Sequence, residues 1–359
     1  MRQSLTRLSK MFLLGERDVR KALDLNQCLE VNKRALISIC QGKGFVPSRL
    51  GLPYPNHPSV ASPKTSDGSS SDPDDWTLIK PAAFYGQEED SNNISMGLKV
   101  VSVRAKNPSN GLPLVPASIL LVDPPSGIVQ ATLSGTYVTV ARTSAGPALA
   151  VQTFKPDLQH LVLFGAGAQA AMHIELMELA IQRRIPKITI INRSLERAQG
   201  LKENLDRGDD SIQVAALDDT AAIASALQEA DVVAATTNTT IPLWKEHVQL
   251  KEGCLITGIG SYTPGMQEIP EYVVNDSHVV IDTPDAMSVG DLQHLGSYES
   301  TKHPVARAGD AFVNPEGIGS STKYIFYKAV GTAIQDVLTA EAVVKSAKEK
   351  GIGQEYDMS

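Results

Sequence analysis

Cysteine is scarce in this chain: Cys28, Cys40 and Cys254 are the only three in 359 residues, and they lack metal-ligand spacing. A low, odd count speaks against a disulfide framework and fits a reducing compartment, with the thiols as small core residues and no metal site expected. A basic excess is also missing. Lys and Arg number 33 against 40 Asp and Glu, a net charge of −7, so a nucleic-acid partner is not expected. No apolar run approaches the roughly 20 residues that cross a bilayer, so no membrane partner is expected either. What is present is ordinary: 42% hydrophobic and 20% charged residues, in a length that suits two domains with sizeable cores. Met1 to Lys10 is basic and contains Ser and Thr, a composition shared with import peptides. Met11-Phe12-Leu13-Leu14 is too short for a signal h-region, and Gly15 to Val19 reads as structured chain. A cytoplasmic protein is the expectation, with organelle import as the alternative.

The most informative stretch is His160 to His173. Four apolar residues, Leu161 to Phe164, lead into Gly165-x-Gly167-x-x-Ala170, and Ala170, Ile174, Met177 and Ile181 follow at helical spacing. A buried strand, a Gly-rich turn and a helix N-terminus make the phosphate corner of a dinucleotide fold. Gly165 permits the tight turn, Gly167 lets backbone amides approach a pyrophosphate, and Ala170 lets helix and strand pack closely. The glycines alone equally describe a turn with no ligand. The context adds weight. Arg183-Arg184-Ile185-Pro186 ends the helix, and Lys187 to Ile191 is a second β-rich run, completing a βαβ unit. At its end stand Asn192-Arg193-Ser194. No carboxylate is there to repel a 2′-phosphate, and a guanidinium and a hydroxyl are available to bind one, so NADPH is expected over NAD.

Residues 11 to 46 carry a short strand-like run and then helical periodicity through Val19, Leu23, Leu29, Ala35, Leu36 and Ile39. Asn56 to Asp75 is rich in Ser, Pro and Asp and reads as a flexible insertion. Gly97 to Val103, Ala117 to Val122 and Ile128 to Leu133 are β-like runs separated by polar turns, a hairpin-type meander. Val138 to Val151 reads as a helix crossing into the nucleotide domain. From residue 160 the pattern alternates, with strands expected near 161–164, 188–191, 212–215, 231–235, 255–259 and 278–282. That is α/β, a Rossmann-type doubly wound parallel sheet. Residues 323 to 349 read as one long C-terminal helix with Ile325, Val330, Ile334 and Val337 on one face.

Several stretches together resemble the ornithine cyclodeaminase/mu-crystallin family. They are Gly97-Leu98-Lys99-Val100-Val101, Asn110-Gly111-Leu112-Pro113, Thr139-Val140-Ala141-Arg142-Thr143-Ser144-Ala145, the Gly165 turn, Ala235-Thr236-Thr237-Asn238, Gly258 to Gly265 and Gly331-Thr332-Ala333-Ile334-Gln335-Asp336. The resemblance spans roughly residues 46 to 340. It implies a homodimer whose first domain, 1–141 with 323–359, is an α+β substrate-binding and dimerisation domain, and whose second, 142–322, is the NAD(P)-binding Rossmann domain. It implies hydride transfer between a nicotinamide and the Cα of a small imino or amino acid. By motif position, Arg49 and Arg142 fall where the family clamps the carboxylate, and Lys99 falls at its active-site lysine. Two guanidinium groups can each hold a carboxylate bidentately, and a lysine of lowered pKa can exchange a proton with the substrate nitrogen. The cofactor-contacting set is Thr143, Gly165, Ala166, Gly167, Ala168, Gln169, Asn192, Arg193, Ser194, Thr236, Thr237, Gly258 and Ile259.

The departures point to one chemistry. Cyclodeaminases of the family carry an Asp two residues before the Pro of their Gly-x-Asp-x-Pro-Gly-Lys segment. Here that position is Tyr262, and Met266 replaces the Lys. A phenol, with its ordinary pKa of about 10, is a poor base at neutral pH. Two roles are open to Tyr262, a proton role beside Lys99 and packing against the nicotinamide. The reading is an NADPH-dependent reductase of a ketimine or cyclic imino acid. The alternatives are an ornithine or lysine cyclodeaminase with bound NAD, and a non-catalytic NADP(H)-binding crystallin-like protein.

Overall fold

The β-like runs of the N-terminal part pair into one mixed sheet. The computed structural model describes residues 10–53, 76–86, 94–208, 210–245 and 248–358, so the Ser/Pro-rich stretch 56–75 lies outside the described residues, as does all of the basic start except Lys10. The chain divides into two units, Met1–Arg142 with Thr332–Ser359, and Thr143–Gly331.

The first unit opens with β1 (Lys10–Leu14), α1 (Glu16–Ala22) and α2 (Leu25–Cys40). It continues through β2 (Gly44–Phe45), β3 (Leu50–Pro53), β4 (Trp76–Tyr85), β5 (Ile94–Val103), β6 (Ala117–Val122) and β7 (Val129–Ser134). The chain then enters α3 (Thr136–Phe154), in which the boundary between the units falls. At the far end of the sequence α9 (Ala333–Glu349) and β16 (Gln354–Asp357) return to this unit. The sheet order is β16-β1-β7-β6-β5-β4-β2, with β3 also on β4. Strands β4 and β5 alternate as a half-buried sheet requires: Lys80, Ala82 and Phe84, and Ser95, Gly97, Lys99 and Val101, are the covered faces. Helix α9 covers them, with Ile334, Val337, Leu338 and Val343 packed among Phe84, Ile119, Leu121 and Leu133. Gly97 is what permits this approach, since a Cβ there would collide with Leu120 O and meet the Val337 side chain at 3.2 Å.

The second unit runs β8 (His160–Phe164), α4 (Ala168–Ile181), β9 (Lys187–Asn192), α5 (Leu195–Leu205), β10 (Ile212–Ala216), α6 (Thr220–Glu229), β11 (Val232–Ala235), β12 (Leu255–Gly258), α7 (Glu271–Asn275), β13 (Ser277–Ile281), β14 (Val305–Arg307), α8 (Ala308–Val313) and β15 (Tyr324–Lys328). Every strand pair is parallel, in the order β10-β9-β8-β11-β12-β15-β13-β14. The order reverses between β8 and β11, the switch point at which such sheets bind ligands beyond the strands' carboxyl ends. All five residues of β8 are buried, as expected where both faces of a sheet are covered.

One sequence expectation is overturned. Residues 323 to 349 are not a single helix: 324–328 are β15, between β12 and β13 in the second unit, and the helix starts at Ala333. All five residues of β15 are buried. A short apolar run buried on both faces carries no period that separates it from a buried helix. Gly331, at φ +75°, breaks the chain between the two elements. The C-terminal return therefore begins at Thr332 rather than Lys323, and Arg142 closes the first unit rather than opening the second.

Candidate active site

Within the first unit, charged side chains converge under α9. Lys99, fully buried on β5, donates from Nζ to Asp336 Oδ1 at 2.7 Å and to Thr139 Oγ1 at 3.3 Å. Arg142, on the part of α3 that belongs to this unit, donates from Nε to the same Asp336 oxygen at 2.8 Å. The other oxygen, Asp336 Oδ2, is buried with no hydrogen-bond partner among the described residues. Asp336 sits on α9, whose first turn is anchored by Gln335. Gln335 Nε2 reaches Asn32 Oδ1 at 3.0 Å and the Arg142 carbonyl at 3.4 Å, while Asn32 Nδ2 donates to Thr339 Oγ1 at 3.1 Å. These buried bonds fix the carboxylate's place on the helix.

A second lysine belongs to the cluster. Lys80 on β4 is the direct cross-strand partner of Lys99 on β5, and it too is buried. Arg49 stands half-buried in the loop just before β3, near enough for its charge to act on both Lys80 and Lys99.

Burial dominates the electrostatics. It pushes the Lys99 amine down to about 7, helped by the positive charges of Arg142 and Arg49, while Asp336 pulls the other way. Burial likewise holds Lys80 well below its ordinary value, with Lys99 and Arg142 adding to the effect. For Asp336, burial favours the neutral acid, but Arg142, Lys99 and Lys80 outweigh it and keep the carboxyl below its usual range. An amine near 7, bonded to an ionised carboxylate, can give or take a proton at neutral pH. The bond to Asp336 uses Arg142 Nε alone, from a guanidinium with five N–H donors.

In the second unit the Gly-rich turn adopts the geometry its sequence demands. Gly165 has φ +113°, and a Cβ there would lie 2.5 Å from Thr236 Oγ1. Gly167 is the N-cap of α4, and a Cβ built on it would meet nothing within 4 Å, so the backbone there is open to a ligand. Ala166 and Gln169 are half-buried and Ala168 is exposed around this opening. Gln169 Oε1 accepts from Ser144 Oγ at 3.1 Å, and Ser144 Oγ also lies 2.8 Å from His173 Nδ1, a ring that burial pushes down to about 4. Arg193 is exposed and lines a cavity of about 500 Å³ together with Asp218, Thr220, Ile241, Trp244 and Lys245. Ser194 is the N-cap of α5, its side chain accepting from Arg197 N at 3.3 Å, and Asn192 Nδ2 donates to the Ser194 carbonyl. Both are thus partly engaged in shaping the turn.

The loops after β11 and β12 are tied together by a buried carboxylate. Glu268 accepts from Thr237 N and Oγ1, each at 2.8 Å, from Gly260 N at 2.7 Å and from Ser261 N at 3.2 Å. Asp291 accepts from Glu268 N at 2.7 Å and pairs with buried Lys328 at 2.8 Å. Thr236 Oγ1 donates to the Phe164 carbonyl at 2.8 Å. Gly258 is buried at the end of β12, and Thr143, Ile259 and Tyr262 are half-buried.

Of the residues singled out in the sequence, the fold joins Lys99 and Arg142 through Asp336, with the charge of Arg49 acting on Lys99; Tyr262 and the cofactor-contacting set belong to the second unit. Asp336, Lys80 and Glu268 were not singled out. Their signals were a carboxylate between Ile334 and Val337 in an apolar helix, a lysine in step with Ala82 and Phe84, and a glutamate before Ile269-Pro270.

The profile of the ornithine cyclodeaminase/mu-crystallin family matches residues 85–351. A curated relative from Dictyostelium discoideum, an uncharacterized cyclodeaminase, is 28% identical, covering 97% of this chain and 100% of its own. A delta(1)-pyrroline-2-carboxylate reductase of Bacillus cereus is 26% identical over 97% of this chain and 100% of its own. Among solved structures, the delta(1)-pyrroline-2-carboxylate reductase of Thermococcus litoralis, in complex with NADH and L-proline, superposes with a TM-score of 0.80 at 24% identity, covering 96% of this chain and 99% of that one.

Proposed function

The chain belongs to the ornithine cyclodeaminase/mu-crystallin family, and we propose that within it this protein is an NADPH-dependent reductase of a ketimine or cyclic imino acid. The observation that carries the reading is Lys99: fully buried, held to Asp336 at 2.7 Å and poised near 7. In the first unit, Arg49 and Arg142 bind the substrate carboxylate, and Lys99 gives its proton to the imine nitrogen, which makes the imine carbon more electrophilic. A bound reduced nicotinamide would supply the hydride, so that C=N is reduced to CH–NH at the expense of the coenzyme's oxidation.

In the second unit the residues present fit a dinucleotide. The open backbone at Gly167 and the α4 N-terminus receive the pyrophosphate. Arg193 and the Ser194 hydroxyl bind a 2′-phosphate, which favours NADPH, with NAD as the alternative. Thr143, Thr236, Thr237, Gly258 and Ile259 line the nicotinamide half. Tyr262 adds bulk there, either packing against the ring or taking a proton role. The family supports a cytoplasmic homodimer, and Leu52, Trp76, Tyr85, Ile94 and Met96, all exposed on β3 to β5, offer an apolar surface for it.

The experiment is NADPH oxidation against a panel of cyclic imino acids, with NADH, and with ornithine plus NAD⁺, as parallel arms. The reading expects oxidation of NADPH by at least one imine. The Dictyostelium relative keeps a second reading in view, ornithine or lysine cyclodeamination with bound NAD. Ammonia released from ornithine, with every imine silent, would establish that reading and overturn the first. NADPH-induced thermal stabilisation without turnover in any arm would favour a binding-only protein.

A further inference from the structure

Three side chains of the second unit meet beside the Gly-rich turn. Ser144 stands on the part of α3 that belongs to this unit, Gln169 lies in the first turn of α4, and His173 follows one turn further along α4. His173 Nδ1 is 2.7 Å from the Gln169 carbonyl oxygen and 2.8 Å from Ser144 Oγ, and Ser144 Oγ donates to Gln169 Oε1 at 3.1 Å. A carbonyl oxygen only accepts, so at that distance the proton of the neutral ring stands on Nδ1. Burial pushes the ring down to about 4, which keeps it neutral at physiological pH and leaves Nε2 as a bare acceptor. Nε2 is buried with no hydrogen-bond partner among the described residues. A leucine would fill the same space without leaving a polar atom unmet, so packing alone does not account for the imidazole. What the histidine adds is its Nδ1–H.

These bonds orient the Gln169 amide. With Oε1 accepting from Ser144, the amide nitrogen and its two donors face away from that hydroxyl. Gln169 is half-buried, next to exposed Ala168 and the open backbone at Gly167. We propose that His173 and Ser144 are positioning residues for the cofactor: they hold the Gln169 side chain with its amide nitrogen turned to the pyrophosphate, which it meets as a donor. The inference rests on the dinucleotide reading of the second unit and not on the reaction. A bond from an amide to a phosphate oxygen is charge-assisted, and a side chain already held in place loses less rotamer freedom on binding. His173 acts without touching the cofactor. Its bond to the carbonyl fixes the α4 backbone at Gln169, and its contact with Ser144 fixes the hydroxyl that engages Oε1.

The test is one of binding and uses the full-length protein with NADPH and with adenosine 2′-monophosphate, which carries the 2′-phosphate but no pyrophosphate. His173→Leu should raise the Kd for NADPH at least about tenfold and leave that for the monophosphate within about twofold, because a hydrogen bond to a charged group is lost. His173→Asn, whose amide nitrogen can stand where Nδ1 does, should restore most of the NADPH affinity. A packing role predicts the reverse order, since leucine fills the space better than asparagine. Ser144→Ala should act as His173→Leu does, and the double variant should be little worse than either, because both act through Gln169. If His173→Leu does not fold, Ser144→Ala carries the same test. If NADH is the cofactor bound, the comparison is NADH against adenosine. Unchanged cofactor affinity in Ser144→Ala or in folded His173→Leu overturns the proposal, as does equal weakening of the fragment, or an Asn variant that binds worse than the Leu one. In each of those outcomes the wild type still binds its cofactor, so the dinucleotide reading stands. A wild-type protein that binds neither NADPH nor NADH would end that reading, and the inference with it.

Discussion

Lys99 Nζ and Arg142 Nε donate to one and the same oxygen, Asp336 Oδ1, at 2.7 and 2.8 Å, while Asp336 Oδ2 is buried without a hydrogen-bond partner among the described residues. The carboxylate couples a candidate proton donor to a candidate carboxylate clamp, so its charge reaches both.

The pH profile of turnover follows from Lys99. With its amine near 7, the protonated donor is depleted above that pH, so imine reduction should fall with a one-proton slope as pH rises through about 7. The stability effect has the opposite sign. Between about 7 and the ordinary 10.5, the unfolded chain keeps a proton that the native state has released. The unfolded state binds more protons, and Lys99 makes stability rise with pH across that window. Steady-state rates and denaturant titrations over the same pH range check both signs.

Asp336→Asn should move the descending limb of that profile to lower pH, because Asp336 opposes the depression of Lys99 and its charge would be gone. Removing one member of a buried charge cluster also destabilises, by about 3–5 kcal/mol. A profile unmoved in a folded Asp336→Asn protein would separate Asp336 from the proton donor.

Arg193→Ser should weaken NADPH binding and leave NADH binding nearly unchanged, shifting the preference by roughly tenfold or more as a charge-assisted contact is lost. Titrating both cofactors by fluorescence measures the ratio directly. An equal effect on both would place the Arg193 side chain away from the 2′-phosphate.

Glu268→Ala should loosen the loops after β11 and β12. Thr237 N, Gly260 N and Ser261 N would lose their acceptor, and each buried donor left unmet costs about 1–3 kcal/mol. A lowered Tm together with weakened cofactor binding is expected. An unchanged Tm would mean that those amides find another partner.

Much of the second unit was legible because its strands run straight into turn signals: the expected strands near 161–164, 188–191, 212–215, 231–235, 255–259 and 278–282 all have counterparts in the sheet. β15 was missed because Tyr324 to Lys328 is apolar without a period, and β14 is only three residues long. Lys99 and Arg142 were singled out through the family resemblance. Their joining through Asp336 was not, because that contact spans residues 99, 142 and 336 and depends on how α9 packs over β5. Lys80 was hidden for a similar reason. Its place beside Lys99 is a matter of strand register, and the pairing of β4 with β5 runs across a connection that no local signal specifies.

The most direct measurement is the effect of Lys99→Ala on the turnover of an imine substrate, set beside its effect on NADPH affinity. If Lys99 is the proton donor, kcat should fall by about 100-fold or more while the Kd for NADPH stays within about threefold. A parallel loss of both, or turnover retained in a folded Lys99→Ala protein, would contradict the account.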